Sequence, residues 1–166
     1  VNAISGSATL DALTEAGAAN LSGKVLIDVS NPLDISNGFP PTLSVSNTDS
    51  LAEQVQRSFP DVRVVKSLNT LTAALMTDPG RLSEPTTVFL SGDDAGAKAV
   101  VDGLLREFGW TDILDLGDIT TARGPEMWLP LWLRAMGALG NPCIVTPGKP
   151  TEPERTNFFF VAMTWL

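Results

Sequence analysis

The sequence predicts an α/β domain built on a largely parallel sheet, and three observations carry that expectation. Lys24 to Val29 is a short, nearly continuous apolar run with β-branched residues at Val25, Ile27 and Val29, the pattern of a strand covered on both faces. Val62 to Leu68 and Thr86 to Leu90 repeat that pattern. Between and after these runs lie segments of helical spacing, and strands alternating with helices at this pitch make βαβ units.

In chain order, Val1 to Ile4 reads as the end of a strand and Ser5-Gly6-Ser7 as its exit. Thr9 to Leu21 places Leu10, Leu13, Ala16 and Ala19 on one side of a helix that Ser22-Gly23 closes. After the strand Lys24–Val29, residues 30–48 hold three prolines, several Ser and Asn residues and the turn Asn37-Gly38, which predicts a long surface loop. Ser50 to Phe59 is a helix with Asp49 or Ser50 as N-cap and Glu53 as capping-box partner. Asn69 to Met76 resumes helical spacing until Asp78-Pro79-Gly80 breaks it. Gly92-Asp93-Asp94 caps a helix from Ala95 to Phe108 with the stripe Ala97, Val100, Val101, Leu104 and Leu105. Asp112 to Leu116 is a short strand, and Thr120 to Leu139 a long apolar helix. From Gly140 onward four prolines mark a change of character, so residues 141–166 read as a divergent tail.

Composition narrows the chemistry. The net charge of -8, without a Lys/Arg-rich run, speaks against nucleic-acid or anionic-membrane partners. No apolar stretch is long enough to span a membrane, and the single Cys143 fits a reducing, cytoplasmic setting. The chain has no histidine, hence no imidazole base, no Ser-His triad and no ordinary zinc site. It has no tyrosine either. An enzyme made from these residues runs on carboxylates, lysine or a cofactor that carries the chemistry, and we expect no protein catalytic residue and no metal.

The nucleotide fingerprint G-x-G-x-x-G between a strand and a helix is absent. What remains are three strand exits: Ile4-Ser5-Gly6-Ser7, Ser30-Asn31-Pro32-Leu33 and Ser67-Leu68-Asn69-Thr70-Leu71. Ligands collect outside the carboxyl ends of parallel strands. Taken singly, each exit reads as helix capping; together, their hydroxyls and amides beside apolar groups suit a flat, amide-bearing ring. Asp93-Asp94 is read as a cap, Lys66 as a strand-end lysine whose amine reaches water, and Trp128 to Leu133 as core or an oligomer interface. Asp28, Asp115 and Asp118 have no spacing that would unite them as a carboxylate pair.

At these exits the sequence resembles the coenzyme F-420-dependent NADP oxidoreductase family. The matching segments are Val1-Asn2-Ala3-Ile4-Ser5-Gly6, Gly23 to Leu33, Ser46 to Leu51, Val64 to Leu71, Gly92-Asp93-Asp94, and Ala122-Arg123-Gly124-Pro125-Glu126-Met127 before Leu129-Pro130-Leu131-Trp132. The resemblance covers residues 1–140 and implies a Rossmann-like, mostly parallel sheet flanked by helices. It further implies hydride transfer between NADP(H) and a deazaflavin coenzyme F-420, or another acceptor. Ile4, Ser5 and Gly6 would lie near the nicotinamide, Asn31, Pro32 and Leu33 would wall the ring pocket, and Asn69, Thr70 and Leu71 would meet the second ring. Because the family opens with a glycine fingerprint strand that would precede Val1, we expect residues 1–140 to be the C-terminal part of an NAD(P)-binding domain. Such a part lacks the first strands of the full fold and holds an incomplete NADP site. The alternative is a non-catalytic remnant that works as a dimerisation or interaction module; on either reading we expect copies to associate through the apolar helix 120–139.

Overall fold

The computed structural model describes residues 1–82 and 86–139. Helix α1 (Thr9–Ala16) and the single turn α2 (Ala18–Leu21) lead to strand β1 (Val25–Asp28). A small hairpin of β2 (Leu33–Asp34) and β3 (Thr42–Leu43) follows, then α3 (Leu51–Ser58) and β4 (Arg63–Ser67). The second half holds α4 (Ala73–Met76), β5 (Val88–Ser91), α5 (Ala95–Glu107), β6 (Ile113–Asp115) and α6 (Arg123–Leu139). The mixed α/β class and the mostly parallel central sheet flanked by helices are as expected.

The main sheet runs β1-β4-β5-β6. Asn2 adds one parallel bridge outside β1, donating its N–H to Ile27 O and accepting from Val29 N. Alternation along β4 divides the core. Val64 joins Leu13, Leu26, Val55 and Phe59 under α1 and α3, and its neighbour Val65 joins Val88, Leu90, Val101 and Leu105 under α5. No helix among the described residues is long and apolar enough to cross a membrane.

Four local expectations change. The helix 9–21 breaks at Gly17, whose φ of 88 is left-handed, and of its stripe Leu13 is buried while Ala16 and Ala19 are exposed. The loop 30–48 contains the β2–β3 hairpin, closed around Asn37-Gly38. The helix 69–76 shrinks to one turn, because Leu68 takes a left-handed φ of 62 and turns the chain sharply out of β4. Finally, β5 pairs antiparallel with β4 (Lys66 opposite Ser91), although β1/β4 and β5/β6 are parallel. A parallel partner would need a long crossover, and the described part of this connection offers only α4 and a 3₁₀ turn. The exit of β5 therefore lies at the opposite end of the sheet from the exits of β1 and β4.

Helix α3 begins as its sequence predicts. Ser50 is the N-cap: its hydroxyl accepts from Glu53 N at 3.2 Å and donates to Glu53 Oε2 at 2.7 Å. Asp49 instead receives both guanidinium nitrogens of Arg57 at 2.8 Å, which holds its carboxyl down at about 2 against an ordinary 3.8. A depressed carboxyl stabilises the fold above its unfolded value and loses that contribution as pH falls through the folded one. Arg57 is more than half exposed, so the contribution stays below about 1 kcal/mol. The stability difference between the parent and Asp49→Asn, read from urea melts, is therefore expected to shrink as pH drops below about 4 and to disappear only below about 2. A difference that persists at the acid end would contradict this.

Candidate functional site

The loops that leave Asn2, β1 and β4 meet above one end of the sheet. Gly6, in the first exit, packs directly on the second: a Cβ there would stand 2.1 Å from Asn31 O and 2.9 Å from Pro32 Cα. The second and third exits exchange amides, Asn31 Nδ2 donating to Asn69 O at 3.0 Å and Asn69 Nδ2 to Asn31 Oδ1 at 2.9 Å. Pro32 is buried, and its carbonyl accepts from Ser44 N at 2.8 Å, which fastens the hairpin beneath the exit. The structure thus brings the three predicted exits together through Gly6, Asn31, Pro32 and Asn69, and the nine predicted site residues are unequally exposed. Ile4 and Ser5 are exposed, Gly6, Asn31 and Leu33 are half-buried, and Asn69, Thr70 and Leu71 are buried. Leu71 packs in the core cluster under α5. The amide of Asn69 holds Asn31 rather than standing free.

Directly beneath these exits is a cluster that sequence reasoning missed. Lys66, expected to reach water, is 1% exposed. Its ammonium lies 2.9 Å from Asp28 Oδ2 and 2.8 Å from Glu126 Oε1, and also donates to the carbonyl of Ser30. Asp28 is fully buried, and its other oxygen accepts from Asn2 Nδ2 at 2.7 Å, Ser30 Oγ at 2.6 Å and Ser30 N at 3.2 Å. Glu126 accepts from the backbone N–H groups of Leu51 (2.8 Å) and Ala52 (3.1 Å), the free donors at the start of α3. One lysine and two carboxylates leave one net negative charge, and those donors balance it. A signal for the pair was present in the sequence: Asp28 and Lys66 each break an apolar run, and they are partners in the β1–β4 register.

Elsewhere, the acids do what acids at helix starts do. Asp94 accepts from Ala97 N at 2.6 Å, Asp93 from Ile119 N at 3.0 Å, and Asp118 from Thr120 N at 3.0 Å. Asp115 pairs with Lys98 at 2.9 Å. Helix α6 is less uniform than its composition suggests, with Leu129 and Leu133 buried and Met127 and Leu131 exposed.

No family model matches the chain. Among solved structures, a candidate F420-dependent NADP reductase from Arthrobacter sp. FB24 is 55% identical, over 91% of this chain and 68% of its own, with a TM-score of 0.85. The chain belongs to the F420-dependent NADP oxidoreductase family. A hypothetical protein from Sinorhizobium meliloti shares 27% identity over 73% of this chain and 57% of its own, with a TM-score of 0.57. Metalloreductase STEAP3 of Rattus norvegicus is 34% identical over 120 residues, 69% of this chain. The chain spans only 22% of that relative's length. The family assignment makes the chain part of the NADP-dependent oxidoreductases and leaves the acceptor open.

Proposed function

We propose that the chain forms the ring-binding side of a reductase that moves a hydride between NADP(H) and a flat acceptor, a deazaflavin of the coenzyme F-420 type or another. Residues 1–140 would be the C-terminal part of its nucleotide-binding domain. The observation that carries the reading is the meeting of three exits at Gly6, Asn31 and Asn69. A glycine whose missing Cβ lets two loops touch, beside paired amides and apolar Pro32 and Leu33, presents small uncharged groups that suit a flat ring better than a charged ligand.

The residues present fit the ring end of such a cofactor. Its phosphate end has no counterpart among the described residues, since none of the three exits carries Lys or Arg and the fingerprint is absent. In this reading Ile4, Ser5 and Gly6 flank the nicotinamide, Asn31, Pro32 and Leu33 form the wall, and Asn69, Thr70 and Leu71 support the side toward the second ring. Bound nicotinamide would supply or take up the hydride. The chain's own task is to align two rings and keep water away, which needs no protein acid or base and agrees with a sequence without histidine or tyrosine.

The test is calorimetric titration of NADPH into the full-length gene product, joined to loss of NADPH absorbance with coenzyme F-420 or a flavin as acceptor. Saturable binding with acceptor-dependent oxidation is expected. Absence of binding heat would overturn the proposal.

A further inference from the structure

We infer that Lys66 is a positioning residue for the wall Ser30–Leu33, and that Glu126 sets its place from helix α6. The inference rests on the reading of Asn31, Pro32 and Leu33 as that wall. A lysine ammonium has three donors and no acceptor. Here they go to three different elements: a carboxylate on β1, a carboxylate on α6, and the Ser30 carbonyl, the peptide that opens the wall. With every proton committed and 1% of its surface exposed, Lys66 is not placed to give a proton to a ligand.

Ser30 is held from the other side as well, since its N–H and its hydroxyl both go to Asp28 Oδ1. The Lys66–Asp28 pair therefore grips one residue at its carbonyl, its amide and its side chain. The next residue, Asn31, carries the amide exchange with Asn69 and the contact with Gly6. The orientation of the Ser30–Asn31 peptide decides whether both can be made. Glu126 completes the device: its two oxygens take Lys66 and the N-terminus of α3, so α6, α3 and the wall share one fixed point.

Hydrogen exchange read residue by residue in the absence of nucleotide tests this. The parent is compared with Lys66→Met and with the neutral triple variant Asp28→Asn/Lys66→Met/Glu126→Gln, which keeps the fold if the single change does not. In a folded variant the amides of Leu33 and Ser44, which bond to Asn31 O and Pro32 O, are expected to exchange at least about tenfold faster, the size of one lost hydrogen bond to a charged group. In the triple variant, whose global stability is expected near the parent's, the sheet amides of Val65 and Leu90 should stay near parent rates, whereas in Lys66→Met they should rise with the lost global stability. Turnover per folded molecule should fall with KM for NADPH unchanged. In the triple variant a uniform rise across wall and sheet would make Lys66 a plain core element and overturn the inference, as would no change at the wall. The exchange pattern needs no activity, so a local response in a protein that does not oxidise NADPH would remove the reductase reading and leave Lys66 as the wall's anchor.

Discussion

Replacing Lys66 by Met is expected to lower the unfolding free energy by about 3–5 kcal/mol, the cost of breaking a buried ion pair from one side. The loss is electrostatic rather than steric. Met nearly matches the lysine stem, so no large cavity opens, but Asp28 and Glu126, both essentially without solvent contact, would face each other with no cation between them. For a domain with a total stability of about 5–15 kcal/mol, that brings the variant close to unfolding at room temperature. The neutral triple variant should recover most of the loss. Its amide oxygen at position 28 can still accept from Ser30 and Asn2, and the one at position 126 from one of Leu51 and Ala52, which bond to different oxygens of Glu126. Replacing a buried charged group as a whole costs far less than removing one member. Denaturant melts of the three proteins decide the matter. A Lys66→Met protein within about 1 kcal/mol of the parent would show that the ammonium does not carry the charge balance of this core.

Why this cluster escaped the sequence is a matter of distance along the chain. Period-two alternation tells which side of a strand a residue takes, and the apolar runs of β1 and β4 were legible for that reason. It does not tell what lies above the strand end. Glu126 arrives there from α6, far downstream, and turns a lysine that reads as solvent-seeking into the centre of a buried triad. The caps were readable because their signals are local: Ser50 with Glu53 and Asp94 with Ala97 lie within one helical turn. The three exits were also found locally, as polar residues after apolar runs, and the structure adds that they touch. The antiparallel β5 was not readable, since a strand's own residues do not record its neighbour's direction; that is set by the connection, whose described residues hold too little helix to cross back. The one-turn α4 followed from Leu68 in a left-handed conformation that leucine's own preference argues against.

Gly6→Ala separates the site from the scaffold most sharply. The added Cβ would meet three backbone atoms, Asn31 O at 2.1 Å, Asn31 C at 2.7 Å and Pro32 Cα at 2.9 Å, and none of them can rotate out of the way. Pro32 is fixed in turn by its bond from Ser44 and Asn31 by its exchange with Asn69, so the first exit must move away from the wall by about 1 Å. The 3₁₀ turn Gly6–Ala8 buries none of its residues, and displacing it should cost only about 1–2 kcal/mol of stability. Ring-to-ring transfer is far less forgiving, because a misplacement of about 1 Å can cost on the order of a hundredfold in rate. We therefore expect turnover to fall by about two orders of magnitude while the thermal midpoint shifts by only a few degrees. Gly103→Ala is the matched control. It lies in the middle of α5 with open space where its Cβ would go, and there alanine should leave turnover unchanged and stabilise the helix by up to about 1 kcal/mol. Parent-like turnover in Gly6→Ala would mean that the contact between the first two exits is packing alone, and that the rings, if they bind here, do not depend on it.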